Sequence, residues 1–213
     1  QCQGFCYNSK KDVFVLACIN SENTRQVIYE IDPRTFDIVG TYKFRDANVL
    51  AHMNTLTYNP DTNLLYTTNA MVDGHRITTI DADTMSIGNT ITIPERVFNL
   101  AYDKKTNQFM SIVPIDATMR RINYYTSQFQ LVQSKDIDAN YDDYNNNGAF
   151  ANDGKTIFAT LSTVITVDKT GNVTKIASFP KNLEIEDMDM RHNIMYAAVN
   201  SNHKVFIYTM LNY

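Results

Sequence analysis

Residues 56–69 read LTYNPDTNLLYTTN and residues 75–93 read HRITTIDADTMSIGNTITI, joined by a short loop containing Gly74. Together they spell four strands. Leu56 to Tyr58 alternates and then meets Asn59, Pro60, Asp61, Thr62 and Asn63, a cluster whose fixed proline φ and side-chain-to-backbone bonds favour a tight reversal. A second strand follows at Leu64 to Thr68 and a third at Ile77 to Ile80; after a turn at Asp81 to Thr84, a fourth runs from about Ser86 to Ile93. Each has the period of two that belongs to a pleated strand.

The same grammar recurs on both sides of this unit. Its strand-and-turn half appears as GFCYNSKKDVFVLA from Gly4, LAYDKKTNQFMSI from Leu100, AFANDGKTIFATL from Ala149 and MDMRHNIMYAAV from Met188, with anchors at Tyr7, Tyr58, Tyr102, Ala151 and Met190. Its other half recurs independently, with Asp32, Asp81, Thr126, Asp168 and Thr209 in equivalent places. Two elements, each found five times in strict alternation at a period of roughly 40–50 residues, mark an array of identical supersecondary units. Four-stranded units of this length are propeller blades, whose radial closure leaves only short edges. The expected fold is therefore all-β: one domain over residues 1–213, a five-bladed β-propeller of four-stranded antiparallel blades. Its blades fall near 1–48, 49–95, 96–140, 141–180 and 181–213. The fifth unit breaks off at Tyr213 with little or no outer strand, which leaves that strand to residues outside the sequence.

Composition agrees with the class and narrows the partners. Eleven Phe and thirteen Tyr in 213 residues suit half-buried pleated surfaces. A net charge of -4 with singly scattered basic residues gives no footprint for nucleic acid. The apolar runs are too short to span a bilayer, so no membrane partner is expected. Cys2, Cys6 and Cys18 match no zinc spacing or disulfide framework. A hairpin tip near Lys10 would set Cys2 opposite Cys18, within reach of a disulfide, but buried free thiols are the simpler expectation.

Propeller geometry puts the loops between strands two and three, together with the links between blades, on one face, where binding residues collect. Those loops supply the candidate ligand-binding residues: His52, Asn54, Asn69, Asp73, His75, Asn99, Tyr141, Asp142, Asp143, Tyr144, Asn147, Asp187 and His203. Amide and carboxylate groups bond in a plane and tyrosine adds a flat apolar body with a polar tip, a combination suited to sugars. The two histidines with Asp73 leave a third metal ligand unfixed, and Asp32, Asp81 and Asp168 sit where turns need them, so no metal and no cofactor is expected.

A glycosidase needs two carboxylates facing across the scissile bond. The starts of the inner strands read Gln3, Asn54, Asn99, Asn147 and Asp187, largely amides, with Glu186 beside the last. Asp142 or Asp143 with Asp187 is the one pair left open. GxSxG, HExxH and Gly-rich phosphate motifs do not occur. A non-catalytic role is expected.

LLYTTN followed by ITTIDADTMSIGNTITI is similar to the YVTN type of propeller repeat. HMNTLTYNPDTNLLYTTN and QGFCYNSKKDVFVLACIN resemble the five-bladed platform domains of tail receptor-binding proteins from phages of Gram-positive bacteria, through the pattern His52, Asn54 and Tyr58. That resemblance implies an extracellular virion component, a homotrimer in the full-length protein. Its expected partners are other virion proteins and a cell-wall glycan such as teichoic acid. The later units carry no His at the corresponding place. A structural or protein-interaction propeller is the alternative.

Overall fold

Side chains that bond their own backbone set the reversals of this chain, and they do so at repeating places. In the computed structural model, Asn8 Oδ1 accepts the N–H groups of Lys10 and Lys11, Asn59 Oδ1 that of Asp61, and Asp103 Oδ1 that of Lys105. Four residues after each lies a left-handed residue: Asp12, Asn63 and Asn107, with φ of 53°, 56° and 53°. The tyrosine one place before each turn reaches across to that residue: Tyr7 to Asp12 at 2.7 Å, Tyr58 to Asn63 at 2.9 Å, Tyr102 to Asn107 at 3.0 Å. The second kind of turn repeats as well. Asp32, Asp81 and Asp168 each accept backbone N–H groups two to four residues on, and the Thr126 hydroxyl does the same. These acids are turn formers, as their places in the sequence implied.

The structure describes all residues except 23, 45–46, 70–73, 139–145, 153–154, 161, 169, 181, 203 and 211–213. Its strands form five antiparallel sheets. The first contains β1 (Cys2–Asn8), β2 (Val13–Ile19), β3 (Gln26–Ile31) and β4 (Ile38–Phe44). A single helical turn, α1 (Ala47–Leu50), leads to the second, made of β5 (Leu56–Asn59), β6 (Leu64–Thr68), β7 (Arg76–Asp81) and β8 (Ile87–Thr92). The third holds β9 (Ala101–Asp103), β10 (Gln108–Pro114), β11 (Met119–Thr126) and β12 (Leu131–Asp138); the fourth holds β13 (Asn146–Asn152), β14 (Lys155–Thr160), β15 (Thr163–Val167) and β16 (Val173–Ser178). The fifth has three strands, β17 (Glu184–Arg191), β18 (Ile194–Ser201) and β19 (Lys204–Met210).

Within every sheet the strands pair in chain order. The first strands of the five sheets touch in a closed cycle: β1 with β5, β5 with β9, β9 with β13, β13 with β17 and β17 with β1. This is a five-bladed propeller with each first strand at the axis. Apolar cores fill the spaces between successive blades. Val15, Ile28 and Tyr42 of blade one pack on Leu65, Ile80 and Met85 of blade two. Tyr66 and Ile77 meet Phe109 and Phe129, Ile112 meets Ile165, Val164 meets Met188, and Tyr196 closes the circle on Phe14. Full burial of one such side chain is worth about 1.5–3 kcal/mol, so each contact between blades contributes to holding the circle together.

At the far end of blade one, Cys2 and Cys18 are register partners across β1 and β2. All three cysteines are free thiols, and burial pushes the thiols of Cys2 and Cys6 well up and that of Cys18 to about 11.

Candidate functional site at the propeller axis

An inner strand of a propeller has one edge without a strand partner, so its N–H groups need another acceptor. Asp187 of β17 supplies it. Its Oδ2 accepts Phe5 N of blade one at 2.9 Å, Leu56 N of blade two at 2.8 Å and the Thr55 hydroxyl at 3.1 Å, while Oδ1 accepts Met188 N at 2.9 Å. Two residues on, and therefore on the same side of the strand, Asp189 accepts Tyr7 N and Met190 N, both at 2.7 Å. The two carboxyls run as a ladder along the free edge of β1. Gly4 permits the approach: a Cβ there would lie 2.8 Å from Leu56 N and from the Thr55 carbonyl carbon.

Glu186 stands in a bulge, because the register of β17 on β18 shifts between Ile185 and Asp187. A bulge re-aims the extra side chain, and here it meets Asn200, whose amide donates to Glu186 Oε1 at 2.6 Å and to the Cys2 carbonyl at 3.1 Å. Asn200 Oδ1 accepts Cys2 N at 3.0 Å. Burial raises all three carboxyls, Glu186 to about 9 and Asp189 to about 6, and Asp187 well above its usual value despite four hydrogen bonds that favour the charged form.

The candidates named from sequence fall into three groups. Asp187, Asn99 and Asn69 are buried; Asn99 Oδ1 accepts Ile112 N inside its own blade at 2.9 Å, and Asn69 Oδ1 is buried with no hydrogen-bond partner among the described residues. His52, Asn54 and His75 are half-buried. Burial lowers the pKa of His52, and the His75 ring nitrogen Nδ1 lies 3.1 Å from the Glu95 carbonyl. Asp73, Tyr141, Asp142, Asp143, Tyr144 and His203 lie outside the described residues, as does the side chain of Asn147. The pairing of Asp142 or Asp143 with Asp187 lies outside them for the same reason.

The fold brings part of this set together. Asn54 N donates to the Thr68 carbonyl at 3.0 Å, which sets Asn54 beside the residue before Asn69, and the Thr68 hydroxyl donates to the Phe98 carbonyl at 3.1 Å, next to Asn99. Thr55, adjacent to Asn54, touches Asp187. Asn54, Asn69 and Asn99 are thus neighbours in sequence of residues linked by hydrogen bonds, and Asp187 of blade five reaches this set through Thr55. His75 stands off to the side, where Gly74 and His75 accept the backbone N–H groups of Val97 and Ile93.

Sequence reading passed over Asp189 and Arg120, and placed Asn200 among the polar loop residues without making it a candidate ligand. Arg120 is wholly buried and donates to the Asp116 and Met119 carbonyls at 3.0 and 3.1 Å, holding the loop that Asp116 initiates. The signal for the first was available in EIEDMDMR, four acids in one inner strand. Among the described residues no cluster of three His, Cys, Asp or Glu is placed to hold a metal ion, and no helix is long and apolar enough to cross a membrane.

No protein family and no curated protein matches this chain. Solved structures do. A chain of the hydrazine synthase of Kuenenia stuttgartiensis is similar at 13% identity with a TM-score of 0.57, over 97% of this chain and 64% of that one. U3-55K is similar at 11% identity and 0.55, over 97% of this chain and 60% of its own length, and a chain of the nidogen/laminin complex at 9% and 0.61, over 93% and 74%. The chain therefore spans less than two thirds of the first two. At such identities the likeness establishes the fold alone, and a fold does not by itself fix a function.

Proposed function

We propose that this propeller is a non-catalytic recognition platform that binds a cell-wall glycopolymer of the teichoic-acid type through the face carrying its inter-blade links, as part of an extracellular phage tail receptor-binding protein. The observation that carries the non-catalytic part is the state of Asp187. A general acid or nucleophile must present an oxygen to the substrate, whereas this carboxyl is enclosed and holds donors from three blades. The glycan part draws its support from the amide-rich starts of the inner strands and the half-buried His52 and Asn54 beside them, and the phage part from the sequence resemblance.

Incubation with purified wall polysaccharide, followed by sizing of the polymer, tests the reading. Polymer retained at full length, with binding weakened about tenfold in His52→Ala or Asn54→Ala variants that stay folded, is the expected result. Shortening of the polymer that Asp187→Asn abolishes would replace a recognition module with a glycosidase.

A further inference from the structure

Three thiols lie in the first two strands of blade one, and the fold sorts them. Gln1 N donates to the Ile19 carbonyl at 3.0 Å and Ile19 N to the Gln1 carbonyl at 2.9 Å, so these two residues form a hydrogen-bonded pair. The next pair inward, Cys2 with Cys18, is therefore of the non-hydrogen-bonded kind, whose side chains stand closest. The main chain of Cys2 agrees: its N–H goes to Asn200 Oδ1 at 3.0 Å and its carbonyl takes the Asn200 amide at 3.1 Å. Cα atoms of such a pair lie about 4.5 Å apart, within the roughly 4.4–6.8 Å that a disulfide spans. Opposed residues also point to one face of the sheet. Cys2 packs with Phe5, Phe14 and Leu16 on the side facing blade five, and Cys18 packs against the same cluster. Cys6 faces away from both. Residues 2 and 6 would share a face in an unbroken strand, but the register shifts between Cys2 and Gly4, and Cys6 lies with Leu56 and Leu65 of blade two.

We propose that Cys2 and Cys18 are a redox-closable pair, which a small disulfide of the glutathione class converts to a cross-strand bridge that locks β1 to β2 beside the seam between blades five and one. Cys18 is half-buried and Cys2 wholly buried, so Cys18 reacts first. Its thiolate attacks one sulfur of the small disulfide; that S–S bond breaks, one small thiolate leaves and a mixed disulfide forms on Cys18. The Cys2 thiolate then attacks Cys18 Sγ and expels the second small thiolate. Two protein thiols are oxidised, the small disulfide is reduced to two thiols, and these take up the protons that the cysteines lose. Burial keeps both cysteines protonated at neutral pH, Cys18 with a pKa of about 11, so closure is slow at pH 7 and quickens about tenfold per pH unit as thiolate accumulates. The bridge reinforces the closed circle, because β1 carries the N–H groups of Phe5 and Tyr7 that Asp187 and Asp189 accept. The inference is independent of the glycan reading.

The folded protein is incubated with oxidised glutathione at about pH 8.5, weighed intact by mass spectrometry, and digested without reduction to map its cross-links. A mass lower by about two hydrogens is expected, with one cross-link joining Cys2 to Cys18 and Cys6 left as a free thiol. Cys2→Ser should stop at a glutathione adduct on Cys18 that dithiothreitol removes. The bridged protein should melt at a Tm higher by roughly 5 °C and return to its starting Tm on reduction. Four results would each overturn the proposal: a glutathione adduct that persists on Cys18 in the unaltered chain; a cross-link through Cys6; no thiol loss from the folded protein after a day in which the unfolded protein reacts; or an unchanged Tm in the fully bridged protein.

Discussion

Removal of the Asp187 carboxyl would leave the Phe5, Leu56 and Met188 amides buried without their acceptor. Each orphaned donor costs about 1–3 kcal/mol, so Asp187→Ala is expected to cost about 3 kcal/mol or more. For a chain of this length that lowers Tm by roughly 6–12 °C. Asp187→Asn keeps an oxygen for the three donors on Oδ2 and is expected to lose only about 1 kcal/mol; thermal denaturation of the two variants separates them. Glu186 gives the pH dependence. Its folded pKa is raised to about 9 by burial, so the folded state holds a proton that the unfolded chain gives up near pH 4.5, and stability from this group falls as pH rises between the two. Asp12 works the other way: hydrogen bonds from Arg191 and Tyr7 lower it to about 2, so its contribution is complete above about pH 4 and is lost as pH falls toward 2. Tm measured from pH 2 to 9 should peak near pH 4 to 5, and Glu186→Gln should make the alkaline side shallower, with Asp187 and Asp189, also raised by burial, supplying the remaining slope. None of this was legible in the sequence beyond the presence of the acids, because the donors that Asp187 meets come from blades that are 182 and 131 residues away along the chain.

Turns are the element at which sequence and structure agree most closely. Asn8, Asn59 and Asp103 bond forward over two or three residues, so their role depends on nothing distant, and the repeat in Asp32, Asp81, Thr126 and Asp168 reports the same local chemistry. The tyrosine anchors were visible as a repeat, but their bond to the left-handed residue five places on emerges only when the turn closes. That residue carries two loads, a positive φ and an acceptor. Asn107 is exposed and has φ 53°. Asn107→Ala is expected to cost about 1–2 kcal/mol, since alanine tolerates the left-handed region poorly. Asn107→Gly relieves that strain and loses only the Tyr102 bond, about 1 kcal/mol less. Denaturant unfolding of both variants checks the order; equal losses would mean that the tyrosine bond, not the backbone, sets the cost.

Closure is a property of the whole molecule. Five repeats were countable in the chain, but which face of each blade meets its neighbour follows from the pleat, and the seam between blades five and one depends on residues at opposite ends of the sequence. Cys2 bonded to Asn200 and Arg191 bonded to Asp12 at 2.8 and 3.0 Å fasten that seam. Gly4 sets how near blade one comes to blade two: Gly4→Ala would press a Cβ against backbone, a displacement worth about 1–3 kcal/mol, and should be read as lost protection from exchange at Phe5 and Leu56 together. Candidate binding residues were legible as a polar, loop-rich set, whereas their burial was not; Asn99 and Asn69 read as surface amides in the sequence and are buried in the fold. The function proposed above is recognition of a wall polymer without change to it. Purified protein should sediment with intact Gram-positive cell walls and stay in solution once teichoic acids have been chemically removed. Equal sedimentation with stripped walls, or none with either, would contradict a glycopolymer receptor.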